Sequence, residues 1–342
     1  MSDDLPLGPV IAAVAGLELD AADRERLHHP RVGGVTLFAR NFSSHAQVSA
    51  LCREIHALRA PQLLICVDHE GGRVQRFKDG FTLLPPMRRI GALADQDATQ
   101  AIEVAKAAGF IMGTELKACG VDVSFAPVLD LDYGASTIIG DRAFHADPHR
   151  VAELGGALLD GMSAAGMVGV GKHFPGHGFI AADSHLELPV DERSWTQIES
   201  RDLVPFMSLA SRLAGVMPAH VLYPAVDTRP AGFSGFWLKE VLRRQCGFEG
   251  AIFSDDLGML GAAGEGGFGA RASAAFAAGC DLVLACTPAD ADALLGEPFD
   301  EPTGPWALRL RKMFGPPLGP MSADDRERRL DEARCTVFRL LA

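Results

Sequence analysis

The sequence predicts an α/β protein whose one domain is a (β/α)8 barrel of the TIM type, and three observations carry that prediction. Eight short apolar or β-branched runs recur along the 342 residues, most of them followed by a stretch of helical character. Each run is apolar at successive positions, so both faces of the strand are buried, as in parallel sheets covered by helices. Parallel strands joined by helices require right-handed crossovers, and eight such units close naturally into a ring. An open doubly wound sheet is the competing architecture.

In chain order the runs are Val10 to Ala15, Val35 to Phe38, Leu63 to Val67, Val121 to Ala126, Val168 to Gly171, Gly215 to Pro218, Ala251 to Ser254 and Leu282 to Ala285. Between them, Ala98 to Ala118 is rich in Ala and lacks Pro, while Phe236 to Arg244 places Leu238, Val241 and Leu242 on one side. Both segments are expected to be helices. Gly296 to Pro320 is rich in Pro and Gly, yet only one helix's worth of chain follows it. That segment, 322–341, offers Ser322 as N-cap, Asp324 and Asp325 in the first turn, and Leu330, Ala333, Val337 and Leu340 at helical spacing. It is expected to pack back on the barrel, leaving 1–342 as a single domain.

Hydrophobic residues make up 48% and charged residues 22%, which excludes disordered and fibrous classes. With 32 Lys+Arg against 44 Asp+Glu, no cation excess exists to neutralise phosphates, so neither nucleic acid nor an anionic membrane is an expected partner. The seven cysteines form no Cys-x-x-Cys pair and mostly sit in apolar stretches, as reduced packing residues do. The start, Met1-Ser2-Asp3-Asp4, is acidic where a secretory signal is basic, and Val10 to Ala15 is too short to span a membrane. The expected compartment is the cytoplasm.

In a barrel of this kind chemistry collects at the C-terminal ends of the strands. Here the third strand runs into Asp68-His69-Glu70-Gly71-Gly72-Arg73-Val74-Gln75-Arg76, the fourth into Asp130, the fifth into Lys172-His173, the sixth into His220 and the seventh into Asp255-Asp256. Any one of these is equally well a salt bridge or a helix cap; five together point to a polar site. The densest stretch is Lys172 to His185. His173 and His177 are four apart and His185 adds a third imidazole, but Pro175-Gly176 breaks the helix that would align the rings, so no metal is expected. Asp183-Ser184-His185 contains the residue types of a hydrolytic triad, yet adjacent residues seldom point at one another and no Gly-x-Ser-x-Gly surrounds Ser184. Asp183 across one residue from His185 suits either a carboxylate that orients an imidazole or a solvated loop pair. Gly264 to Gly269 matches Gly-x-Gly-x-x-Gly without leaving a strand directly, and reads as a glycine loop.

Taken together, Lys172-His173-Phe174-Pro175-Gly176-His177-Gly178 with Asp183-Ser184-His185, Val67 to Arg76 upstream, Gly140-Asp141-Arg142-Ala143-Phe144 between them, and Phe253-Ser254-Asp255-Asp256-Leu257 downstream resemble glycoside hydrolase family 3. More narrowly, they resemble its single-domain bacterial β-N-acetylglucosaminidases of peptidoglycan recycling. The resemblance runs from about residue 8 to 290 and departs at Phe179-Ile180, where several relatives carry Asp-Thr. It implies a barrel, a retaining mechanism and no cofactor. By position, Asp255 corresponds to the nucleophile, and His185 with Asp183 to an acid/base dyad in place of the usual second carboxylate. Asp68, Arg76, Arg142, Lys172 and His173 correspond to residues that grip the sugar hydroxyls. The implied substrate is a cytoplasmic muropeptide, GlcNAc-1,6-anhydro-MurNAc with or without peptide, cut by a monomer at its terminal β-linked GlcNAc. The alternatives are a phosphorylase of the same glycosides, a substrate-assisted hexosaminidase using Asp255-Asp256, a Schiff-base lyase on Lys172, and a sugar-binding barrel without catalysis.

Overall fold

In the computed structural model, residues 6–180, 188–316 and 322–341 are described. Strands β1 (Val10–Ala13), β2 (Val32–Leu37) and β3 (Leu64–Val67) open the chain, and a small antiparallel hairpin, β4 (His69–Gly71) with β5 (Val74–Gln75), leaves the end of β3. Then follow β6 (Val123–Ser124), β7 (Val170–Phe174), β8 (Gly215–Pro218), β9 (Ala251–Asp256) and β10 (Leu282–Leu284). The sheet order is β6-β3-β2-β1-β10-β9-β8-β7, every neighbour parallel. Parallel bridges Ser124–Gly169 and Val128–Lys172 join the two ends of that order. The ring is a (β/α)8 barrel.

All eight expected strands are present, with boundaries that shift for physical reasons. β2 begins three residues earlier than its apolar run because it takes up Gly33-Gly34. At Gly33 a Cβ would stand 1.9 Å from the Gly8 carbonyl oxygen, so the strand needs glycine where propensity argues against it. β7 and β9 run further than expected, to Phe174 and Asp256, so Lys172, His173, Asp255 and Asp256 sit on strands and not in the loops after them. The β4–β5 hairpin has no signal in the sequence, since strands of two or three mostly polar residues carry no readable period.

Helix α1 (Ala98–Cys119) is capped by Asp97, which accepts from the Gln100 amide, and ends at Gly120 in a left-handed conformation. The segment Phe236–Gln245 is helical as expected but π-wound, the Cys246 amide donating five residues back to Val241. The glycine stretch after β9 is not loop throughout: Leu260–Glu265 is a 3-10 turn, and Gly267 caps helix α2 (Phe268–Ala278). The C-terminal helix α3 (Ala323–Leu341) starts at Ser322, whose Oγ accepts from the Asp325 amide at 3.0 Å. It buries Leu330, Ala333 and Val337, while the Leu340 side chain lies outside the described residues. Arg334 ties it down, donating to Glu115 of α1 at 3.0 Å and to Thr82 at 3.1 Å. All seven thiols are free, four of them buried, though Cys335 is exposed. No helix among the described residues is long and apolar enough to cross a membrane.

Candidate active site

The site is built on a buried ionic cluster. Where β3 ends, Asp68 and the hairpin residue Glu70 turn toward Lys172 of β7, whose Nζ lies 2.6 Å from Asp68 Oδ1 and 2.6 Å from Glu70 Oε1. Arg142, closing a 3-10 turn, holds Glu70 with two parallel bonds of 2.8 Å each, a fork-to-fork geometry that fixes both side chains. Arg76 reaches the other oxygen of Asp68 at 3.5 Å. Gln75 fixes the returning strand, donating to the Phe77 and Thr82 carbonyls and accepting from the Leu84 amide. Burial disfavours every charge here, but the opposite charges outweigh it. Lys172 is held above its usual pKa, and Asp68 and Glu70 below theirs. A lysine kept protonated in this way is not a Schiff-base nucleophile, which removes the lyase reading.

A second buried carboxylate organises the neighbouring wall. Asp130, just past β6, accepts from His173 Nδ1 at 2.7 Å, from the His173 amide at 3.2 Å and from the His177 amide at 2.7 Å. Donation from Nδ1 to a carboxylate assigns the tautomer and leaves His173 Nε2 for the cavity. The His177 ring packs edge-on to His173, centroids 6.0 Å apart, and neither of its nitrogens has a partner among the described residues. Burial and the neighbouring His173 push its pKa down, so it is a neutral imidazole near pH 7.

Opposite stand Asp255 and Asp256 at the end of β9. Asp255 Oδ1 accepts from the Asp256 amide at 2.8 Å, and Asp255 makes no ion pair among the described residues. Asp256 Oδ1 accepts from the Gly258 amide at 2.9 Å and the Cys286 amide at 3.3 Å. Burial, joined by the adjacent charge of Asp255, raises the Asp256 pKa to about 6. His220, two residues past β8, is fully buried and stacks on Phe233 with centroids 5.0 Å apart, and it is not among the residues that line the cavity.

These groups enclose a cavity of about 380 Å³. Asp68, Arg76, Arg142, Lys172, His173, His177, Asp255 and Asp256 make its polar wall, and Phe38, Phe125, Met217, Met259 and Leu284 its apolar one. The five residues expected to grip hydroxyls therefore meet around one cavity, facing Asp255, at the strand ends where barrel sites form. Asp183 and His185 lie outside the described residues. Asp130 is legible in the sequence only as a polar strand end, His177 only as a candidate metal ligand and Glu70 only as part of a motif; partners far along the chain reveal what Glu70 and Asp130 hold. Phe179, at the departure from the family pattern, packs edge-on to Tyr133 at 5.2 Å with the Arg193 guanidinium 4.2 Å over its ring, so an aromatic side chain has a structural place there. Among the described residues no group of three or more His, Cys, Asp or Glu is arranged to hold a metal.

A closed parallel barrel, a cavity at its strand ends, fixed donors and acceptors on one side and, on the other, a carboxylate with no ion pair among the described residues together suit a barrel glycosidase. Residues 10–295 match the glycosyl hydrolase family 3 N-terminal domain, and the chain belongs to that family. A β-hexosaminidase of Thiobacillus denitrificans is 56% identical over 315 residues, 92% of this chain and 88% of its own length. One from Nitrosospira multiformis is likewise 56% identical over 315 residues, covering 92% and 90%. Among solved structures, NagZ of Neisseria gonorrhoeae in complex with N-trifluoroacetyl-D-glucosamine superposes with a TM-score of 0.91 at 46% identity, each chain 99% covered. The chain is a glycoside hydrolase of the β-hexosaminidase type.

Proposed function

We propose that the protein is a retaining exo-β-N-acetylglucosaminidase acting on muropeptides. The observation that carries the reading is the facing pair of walls: the Asp68–Lys172–Glu70–Arg142 cluster on one side and Asp255 on the other, across a cavity of about 380 Å³. Charged donors and acceptors fixed before binding suit the hydroxyls of a terminal residue. The gonococcal relative was solved with an N-acylated glucosamine, which supports GlcNAc as the sugar.

Asp255 is the proposed nucleophile. The other carboxylates of the site are engaged: Asp68 and Glu70 by cations, Asp130 by His173, Asp256 by two amides. Asp255 attacks the anomeric carbon, protonated His185 donates to the departing glycosidic oxygen, and a glycosyl ester forms on Asp255. Neutral His185, oriented by Asp183, then takes a proton from the water that attacks the ester and returns free GlcNAc and the carboxylate. Water is favoured over phosphate as acceptor because the cations bordering the cavity are already paired, Arg73 with Asp141 at 2.9 Å and the rest with Asp68 or Glu70. The proposed setting is the cytoplasm, where a monomer removes terminal GlcNAc from GlcNAc-1,6-anhydro-MurNAc, with or without peptide, during peptidoglycan recycling.

Product analysis on GlcNAc-1,6-anhydro-MurNAc by proton NMR, with and without phosphate, tests the reading. The first product should be β-GlcNAc, formed at the same rate in both conditions. A first-formed α anomer, GlcNAc-1-phosphate as the main product, or cleavage within long glycan strands would overturn it.

A further inference from the structure

His177 has no part in the mechanism above, yet it is one of the walls of the cavity. Its side chain is buried, with 3% of the residue exposed, and both ring nitrogens lack a partner among the described residues. Its position is imposed: the backbone amide is bound to Asp130 at 2.7 Å, and the ring rests edge-on against His173. A buried polar atom left unsatisfied costs about 1–3 kcal/mol, so a fold that holds two of them on one ring at a cavity wall has placed them for something that enters the cavity.

The chemistry of that ring differs from the rest of the wall. The Asp68–Lys172–Glu70–Arg142 cluster presents formal charges, which suit hydroxyls. His177 presents a neutral imidazole, one nitrogen donating and the other accepting, in the electrostatic field of Asp255. With C1 of the terminal sugar turned to Asp255, two positions of the pyranose ring are bonded to C1. One is the ring oxygen, which carries no proton. The other is C2, whose acetamido group offers a carbonyl acceptor and an N–H donor, the complement of a neutral imidazole.

We infer that His177 contacts the 2-acetamido group of the terminal sugar and selects N-acetylated glycosides over plain hexosides. This rests on the reading of Asp255 as the group facing C1. A sugar with a hydroxyl at C2 leaves the buried imidazole poorly matched, and sites that hydrogen-bond a particular group discriminate strongly against analogues lacking it.

The test compares wild type, His177→Phe and His177→Asn on 4-nitrophenyl β-GlcNAc and 4-nitrophenyl β-glucoside. His177→Phe should lower kcat/KM on the GlcNAc substrate by about 10²-fold or more and on the glucoside by less than about threefold, so that selectivity collapses. His177→Asn, which restores a donor and an acceptor, should recover part of the selectivity. Equal losses on both substrates would overturn the inference while leaving the proposed function intact, whereas a wild type inactive on both would overturn the proposed function itself. Should His177→Phe fail to fold, wild type labelled with 15N-histidine decides: the His177 ring resonances should move on adding GlcNAc and stay in place with glucose. Unmoved resonances with bound GlcNAc overturn the inference.

Discussion

Lys172 Nζ lies 2.6 Å from Glu70 Oε1, and neither side chain is more than 3% exposed. Lys172→Met would leave Asp68 with a 3.5 Å contact to Arg76 and Glu70 with Arg142 alone. Losing one member of such a buried pair is expected to destabilise the protein by about 3 kcal/mol or more and to cripple sugar binding. The pH window follows from the shifts. Asp68 and Glu70 have folded pKa values below their unfolded ones, so their stabilisation is present above about pH 4 and lost as pH falls through the folded values. Lys172 is raised, so its share is complete below about pH 10.5 and lost as pH rises through its folded value. Urea midpoints measured across pH should show the variant's deficit widest between those limits. A deficit that persists unchanged in acid would contradict the ion-pair account.

The neighbours Asp255 and Asp256 should separate under substitution. Asp255→Ala is expected to abolish turnover of every glycoside and to leave the fold intact, whereas Asp256→Asn should lose less than about tenfold in kcat/KM. Mass spectrometry of fluorosugar-inactivated enzyme should place the label on Asp255.

Asp256 also gives a stability signature. Its pKa is raised from 3.8 to about 6, so the folded state holds the proton more tightly and stability declines as pH rises across that interval. At about 1.4 kcal/mol per unit the decline is at most about 3 kcal/mol. Asp256→Asn should flatten it, which thermal unfolding at about pH 4 and pH 7 would reveal.

If His185 supplies the proton, its loss should matter in proportion to how badly the leaving group needs one. His185→Ala is expected to reduce cleavage of a natural disaccharide far more than pre-steady-state glycosylation by an activated aryl glycoside. Asp183→Ala should be a milder copy, since it removes the orienting carboxylate and keeps the ring. Equal losses on good and poor leaving groups would exclude His185 as the acid.

Gly178 offers a test of the loop's seat. A Cβ there would stand 1.8 Å from the Leu131 carbonyl oxygen, so Gly178→Ala must displace the chain just after His177. Activity should fall by at least about tenfold while the melting temperature changes little, because the shift falls on the residue next to His177 of the cavity wall.

The parallel sheet is legible in the sequence because its runs are apolar on both faces, a pattern shared with open doubly wound sheets, and it is the count of eight strand–helix units that favours closure into a barrel. The same signal fails where the strands end: Lys172-His173 and Asp255-Asp256 belong to β7 and β9, yet polarity appears there because side chains begin to meet the cavity. Asp68, Arg76, Arg142, Lys172 and His173 can be picked out by motif, and they do surround one space. Glu70 cannot, although it stands two residues from Asp68, because its importance lies in Arg142, 72 positions away. His177 reads from the sequence only as a candidate metal ligand, since a lone imidazole in a Pro-Gly loop does not disclose that its nitrogens are buried and unpartnered among the described residues.

The joint between β6 and β7 differs from the others in the ring. It is bridged at Ser124–Gly169 and at Val128–Lys172, with Pro127, which has no N–H, between them. Above that joint Asp130 crosses from one strand to the other, gripping His173 and the His177 amide. One carboxylate thus laces shut the cylinder and seats two histidines of the cavity wall. Native-state opening of the barrel would then begin at its upper rim along this joint, and amide protons of residues 128–130, 172–174, 176 and 177 would report it by exchanging together. A sugar held between Lys172 and Asp255 spans both sides of the β7–β8–β9 arc, so occupancy should slow that exchange and make substrate a structural member of the ring.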